Sequence, residues 1–155
     1  DFGAISVEGI GLDPAIETIL AARVKEAVEC VASGSSLSAI FMCGSVLEGI
    51  LLAVALKNPA EFNRASASPK QKDTGKVRSF HEWTLANLID TAHEVGVLRL
   101  DVKKFSHAVR DFRNYIHPYE QMASNFHPDQ HTSQICMQVL RAALVGLKAN
   151  RGMIP

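Results

Sequence analysis

The chain has 155 residues, of which 47% are hydrophobic and 21% are charged, and its 16 basic residues balance its 16 acidic ones. That length suits a single domain, 1–155, which can bury about two thirds of its unfolded surface and needs neither disulfides nor metals to fold. The formal net charge of zero favours no class of charged partner. Any electrostatic partner must therefore be recognised by a local patch.

Two helices are predicted in the first third of the chain. The first begins at Asp13, whose side chain can cap it, has a proline in the first helical position, and runs to Gly34. The second opens at Ser35 or Ser36, runs to Lys57, and is apolar nearly all round. A helix of that kind needs neighbours on several sides.

The apolar run from Leu37 to Leu56 is long enough to resemble a membrane span. We predict instead the central helix of a soluble bundle with no membrane contact, because small and polar residues interrupt the run. These residues are Ser38, Cys43, Gly44, Ser45, Glu48 and Gly49.

The cysteines Cys30, Cys43 and Cys136 fall inside apolar helical patterns without paired spacing. They are predicted to be buried free thiols in a reducing compartment, the cytoplasm. The chain begins with Asp1, and we expect it to be a domain trimmed from a longer protein, which leaves targeting undecided.

Residues 58–79 are poor in apolar side chains and carry a positive excess. We predict a long basic loop, which is either functional or a solvated and partly disordered insertion. The basic residues of this stretch and its edge are Lys57, Arg64, Lys70, Lys72, Lys76 and Arg78.

Ser79 is predicted to cap a third helix, since Glu82 completes a capping box, and that helix continues to Gly96. Asp101 is predicted to cap a fourth helix, which Pro118 should end within a residue or two. Residues 122–129 read as a loop.

A last helix is predicted to open at Pro128, Asp129 or Thr132 and to run through Leu147, followed by a frayed tail over 150–155. No stretch indicates a strand of useful length. The sequence therefore predicts an all-α fold, an antiparallel up-and-down bundle of four or five helices with its core over about 13–147.

Polar side chains concentrate on one predicted face of the fourth helix. At about 100° per residue, four of them span roughly −60° to +40° around Arg110, next to the apolar stripe, and Lys103 and Ser106 share the face earlier in the helix. The four are Arg110, Arg113, Asn114 and His117.

These residue types together suit RNA chemistry. Histidine transfers protons near neutral pH, and arginine holds a phosphate through its planar fork, so together they can activate a ribose hydroxyl without a metal or another cofactor. The histidines of the chain have no metal-ligand spacing. Two structural interpretations stay open: Glu48 can pair with Arg110 or Arg113, and His117 can stabilise the end of the helix dipole.

The stretch VRDFRNYIHP, 109–118, resembles the signature helix of the HEPN superfamily of small all-α domains. In that signature an arginine precedes Asn, His or Asp, and a histidine follows after four to six intervening residues. Arg110, Asp111 and His117 match it with six between, while Arg113 and Asn114 form the commoner dipeptide with three residues before His117. The second and third helices, GSVLEGILLAVALK and FHEWTLANLIDTAHEVGVL, also resemble those of HEPN domains, so the resemblance extends over about 13–147.

The resemblance implies an HEPN-like bundle that dimerises across its signature helices to form one metal-independent RNA-cutting site leaving a 2′,3′-cyclic phosphate. His117 would transfer the proton and Arg110 would clamp the phosphate, while Arg113 and Asn114 orient the substrate. The basic loop would hold flanking RNA through Lys70, Lys72, Lys76 and Arg78.

HEPN domains occur in toxin–antitoxin, abortive-infection and other defence systems, so an antitoxin or a fused domain is a further expected partner. The alternative is a non-catalytic HEPN-like module that dimerises or binds a nucleotide, RNA or protein within a larger protein.

Overall fold

The computed structural model describes residues 5–155, and every regular element in that range is a helix. Seven are α-helices, and two short 3₁₀ turns lie at Phe80–Glu82 and Asn114–Ile116. The prediction of an all-α fold is confirmed, and all five predicted long helices are present. The α-helices are α1 (Pro14–Ala32), α2 (Ser36–Lys57), α3 (Pro59–Arg64), α4 (Leu85–Glu94), α5 (Leu100–Arg113), α6 (Pro118–Ser124) and α7 (Gln130–Ala149).

Helix α2 is the centre of the core and packs against α1, α3, α4, α5 and α7. Half of its residues are buried, which is what a helix that is apolar nearly all round requires. Among residues 5–155, α2 is the one helix that is long and apolar enough to cross a membrane. More than half of the residues in its most apolar stretch are buried inside the protein.

The helix ends follow from local chemistry. The Asp13 carboxylate accepts a hydrogen bond from the Ala15 N–H at 2.9 Å, as predicted. Helix α5 begins at Leu100, so Asp101 lies in its first turn and the prediction that it caps the helix is wrong. The capping box predicted from Ser79 and Glu82 is present, but it caps the 3₁₀ turn, and Thr84 caps α4.

The segment 58–79 contains a short helix and a turn, where the sequence predicted one long loop. It opens with α3, whose Phe62 is fully buried. The Asn58 side-chain amide donates to the carbonyls of Val54 and Gly152, both at 2.8 Å. A turn closed by the Lys70–Val77 bridge follows. These contacts could not be predicted from the sequence, because single buried residues in a polar stretch leave no periodic pattern.

The C-terminal tail is packed against the bundle, and the prediction of fraying is wrong. The Lys57 ammonium donates to the carbonyls of Ile10 and Gly11 at 3.2 Å and to that of Arg151 at 2.7 Å. One cation thereby ties the end of α2 to both ends of the described chain.

The cysteines are free thiols, as predicted; Cys43 and Cys136 are buried, but Cys30 is partly exposed, so the prediction that it is buried is wrong. The Cys43 thiol donates to the Met137 sulfur at 3.1 Å in the core. Burial raises the pKa of Cys136 to about 11 and also raises the pKa of Cys43. Both thiols therefore stay protonated near neutral pH.

Candidate functional site at the end of helix α5

The signature stretch does not form one continuous α-helix. Helix α5 ends at Arg113, a 3₁₀ turn follows, and His117 is extended with φ −88° and ψ 110°. Pro118 explains this break, because a proline disfavours the α conformation in the residue before it. Pro118 then begins α6, where the sequence predicted only a helix end and a loop. The predicted single polar face is therefore wrong beyond Arg113.

The Arg113 guanidinium forms an ion pair with the Glu48 carboxylate of α2. Gly44 lies one turn before Glu48 and leaves room for the arginine stem. A Cβ at position 44 would lie 2.8 Å from the Arg113 Cδ. The lone acid of α2 thus has a cationic partner, and this partly exposed pair joins α2 to the end of α5.

Arg110 does not reach Glu48. Its guanidinium donates to the Asp111 carboxylate from Nη2 at 2.6 Å and from Nε at 3.2 Å. The Arg110 side chain is 33% exposed and that of Asp111 is 59% exposed. A pair with that much exposure contributes little stability and can exchange with an anion from solution.

His117 is exposed at the junction of α5 and α6. Its hydrogen bonds among the described residues are made by its backbone, which donates to the Asn114 carbonyl and accepts from Glu120 and Gln121. Its imidazole therefore faces solvent. The Asn114 side chain is exposed as well.

Three large apolar side chains surround His117 in the sequence and are also exposed. Ile116 is 59% exposed, Tyr119 is 80% and Met122 is 68%. We call Ile116, His117, Tyr119 and Met122 the His117 patch. These exposed apolar side chains lie close together in the sequence and make the segment a candidate contact surface.

An aromatic cluster fixes α6 against the end of α5. The ring of Phe126 stacks on that of Phe112 with centroids 5.1 Å apart and also lies 5.1 Å from the ring of Tyr115. This cluster lies on both sides of His117 in the sequence, so it restrains the backbone of the segment that carries the histidine.

A second polar cluster, which the sequence analysis did not identify, joins α4 to α5. The Asp90 carboxylate lies 2.7 Å from Nε2 of His107 and 3.4 Å from Nζ of Lys103. Partial burial raises the pKa of Asp90, but the hydrogen bonds and charges of His107 and Lys103 outweigh it, and the net pKa lies below its ordinary value. The i, i+4 spacing of Lys103 and His107 was the available signal.

Ser106 belongs to the core rather than to the polar face on which the helical wheel set it. It is fully buried, and its hydroxyl has no hydrogen-bond partner among the described residues. Lys103 lies on the side of α5 that meets α4. The side chains that were expected on one polar face thus contact α2, contact α4 or face the solvent.

The basic residues of 70–78 form a separate surface. Lys70, Lys72 and Lys76 are exposed on a turn in which the Gln71 N–H donates to the Lys76 carbonyl at 2.8 Å, and Arg78 is partly buried. We call this the basic turn. Among the described residues, none of its side chains pairs with a residue of α5.

Within residues 5–155, no group of three or more His, Cys, Asp or Glu side chains is arranged to hold a metal ion.

In comparisons with known proteins, no family model, curated protein or solved structure matches this chain.

Proposed function

We propose that the domain is an HEPN-like endoribonuclease that acts as a dimer, without a metal, through Arg110 and His117. The observation that carries the proposal is His117, whose imidazole is exposed and not engaged in a structural hydrogen bond, on a backbone that is held by its own hydrogen bonds. A proton-transfer group must be accessible to its substrate, and the exposed imidazole of His117 meets that condition.

In the proposed RNA cleavage, each side chain has one role. The His117 of one copy removes the proton from a ribose 2′-hydroxyl, whose oxygen forms a bond to phosphorus. The bond from phosphorus to the 5′-oxygen breaks, and the other copy's histidine, in its protonated form, donates a proton to that oxygen. Arg110 stabilises the negative charge that grows on the phosphoryl oxygens.

The bond between Arg110 and Asp111 is compatible with this role. The Asp111 carboxylate is exposed, and a phosphodiester can replace it because exposed ion pairs are weak. We assign Arg113 a positioning role, in which its ion pair with Glu48 holds the end of α5, in place of the substrate-orienting role that the resemblance implies.

The dimer is supported by the His117 patch. Exposed Ile116, Tyr119 and Met122 would be covered if two copies met across a twofold axis at α6, and that contact would bring the two histidines together.

Incubation of the full chain with labelled single-stranded RNA in EDTA tests the activity. We expect cleavage by the wild type and a loss of at least about 100-fold in His117→Ala and in Arg110→Ala. His127→Ala, which removes another exposed histidine, is the matched control and should cleave at the wild-type rate. Equal cleavage by wild type and His117→Ala, or no cleavage by either, contradicts the proposal.

A second candidate is the non-catalytic HEPN-like module. It is favoured by the observation that both arginines of the motif have acidic partners, Glu48 and Asp111. In this case the domain would dimerise through the His117 patch, with an antitoxin or a fused domain as a further partner, and would not cut RNA. A dimer in sedimentation that requires Tyr119 and Met122, together with no cleavage, would support it.

A further inference from the structure

Helix α7 has a second stripe that the bundle leaves uncovered. One face of the helix is buried in the core. Six exposed residues, two of them large and apolar, follow the opposite face at alternating spacings of four and three, which places them in one line along the helix. We call them the α7 seam: His131, Ile135, Gln138, Ala142, Val145 and Ala149.

The first half of the seam borders a groove of about 700 Å³ between α5 and α7. Its apolar wall consists of Val102 and Phe105 from α5 with Ile135, Val139 and Ala142 from α7. Phe105 is 57% exposed and Ile135 is 59% exposed. The groove is thus an open depression with two large apolar side chains at its edge.

The second half of the seam has the opposite shape. Val145 is 62% exposed and projects from the helix. Beside it, Gly146 has no side chain, and a Cβ placed there would meet nothing within 4 Å. One half of the stripe therefore offers a depression, and the other offers a projecting side chain next to open space.

We propose that the α7 seam binds the α7 seam of a second copy of this chain, antiparallel and around a twofold axis. In the register that sets Ile135 of one copy opposite Val145 of the other, each valine enters the partner's groove. The same register sets Gln138 opposite Ala142, and His131 opposite Ala149, so long side chains meet short ones. Because the surface is complementary to itself, a second copy is the occupant that it fits.

The charges at the two ends of α7 agree with this register. Asp129 precedes the helix, while Lys148 and Arg151 lie at its other end. An antiparallel partner brings each acid near the other copy's bases and opposes the two helix dipoles. Arg141 lies about 80° around the helix from the centre of the seam, beside the contact rather than within it.

The contact is separate from the proposed RNA-cutting site. Phe105 and Arg110 lie about 140° apart around α5, so the groove and Arg110 face different directions. The seam is about 30 Å long, one helix wide and smaller than a standard interface, so we expect a dissociation constant on the order of micromolar. If the His117 patch also pairs, four copies can assemble.

Cysteine cross-linking tests the register in the full chain. The background carries Cys30→Ser, to remove the partly exposed thiol, and Tyr119→Ser with Met122→Ser, to prevent pairing through the His117 patch. Ile135→Cys and Val145→Cys are prepared separately, mixed and mildly oxidised. We expect a covalent dimer in the mixture and little in either variant alone, because equal positions would lie about 15 Å apart along the seam.

Sedimentation of the same background without added cysteines gives a second measurement. Val145→Asp should raise the dissociation constant at least tenfold, whereas Ile19→Asp, an equally exposed apolar residue on α1, should not. If the protein is a monomer at all concentrations, the proposal is wrong, and the seam would instead bind a helix of another protein. Cross-linking of Ile135→Cys alone as strongly as the mixture overturns the antiparallel arrangement.

Discussion

Glu48 is the one acidic residue of α2, and its ion pair with Arg113 connects the central helix to the candidate site. The sequence supported this pair as an alternative, because a carboxylate in an apolar helix requires a cation. It did not decide between Arg110 and Arg113, since that choice depends on where α5 ends. Pro118 moves that end to Arg113, and Gly44 gives the arginine its space.

Replacing Glu48 by Gln should lower the free energy of unfolding by about 1 kcal/mol, because Arg113 loses its charged partner at a half-buried position. For a chain of this length the melting temperature should fall by about 2–4 °C. Thermal unfolding followed by circular dichroism measures the change. Glu26→Gln on the exposed face of α1 is the control and should leave the melting temperature unchanged; an equal loss in both variants would contradict the role of the pair.

The lowered pKa of Asp90 predicts that the free energy of unfolding depends on pH. In the folded protein this pKa lies below its ordinary value, because the interactions with His107 and Lys103 outweigh the effect of partial burial. The contribution of Asp90 to stability is therefore present above the unfolded-state pKa and is lost as the pH falls through the folded-state pKa. Urea unfolding of the wild type between pH 6 and about pH 3 should show this loss. Asp90→Asn should flatten that dependence, whereas Asp73→Asn on the exposed turn should retain it. A wild-type slope in Asp90→Asn would exclude the α4–α5 cluster as a cause.

At the scale of elements, the long helices were predictable because their apolar residues recur over several turns and their caps are local. Helices α3 and α6 were not predicted. Each is shorter than two full turns and begins at a proline, Pro59 or Pro118, and of these Pro118 was interpreted from the sequence only as a helix end. Their stability comes from tertiary contacts, the burial of Phe62 and the stacking of Phe126, which leave no periodic signal.

The basic turn is the element expected to hold RNA outside the cutting site. Changing Lys70, Lys72 and Lys76 together to Ala should weaken RNA binding and reduce the slope of log affinity against log salt by about 2, since each phosphate contact on a single strand contributes about 0.7. Fluorescence anisotropy at several salt concentrations measures both. Lys25→Ala with Lys104→Ala, two exposed lysines elsewhere, should behave as wild type, and an unchanged slope in the triple variant would remove the turn from the RNA surface.

At the scale of the whole molecule, α2 supports a bundle whose candidate functional surfaces lie on its outside. The all-α class followed from periodicity and from the lack of strand patterns. The candidate site was predictable as a set of residues, Arg110, Arg113, Asn114 and His117, but its geometry was not. Ion pairs with Glu48 and Asp111, and the break before Pro118, assign these four residues to different environments.

We propose above all that the RNA's own 2′-hydroxyl, activated by His117, attacks the neighbouring phosphorus and so cleaves the RNA strand. The most direct test is an RNA oligonucleotide with a single preferred cleavage position, compared in EDTA with the same oligonucleotide carrying a 2′-deoxy sugar there. We predict that the wild type cuts only the ribose form and leaves a 2′,3′-cyclic phosphate, identified by mass spectrometry, and that His117→Ala leaves both intact. Equal cutting of the deoxy substrate, or cyclic phosphate formed at the wild-type rate by His117→Ala, would contradict it.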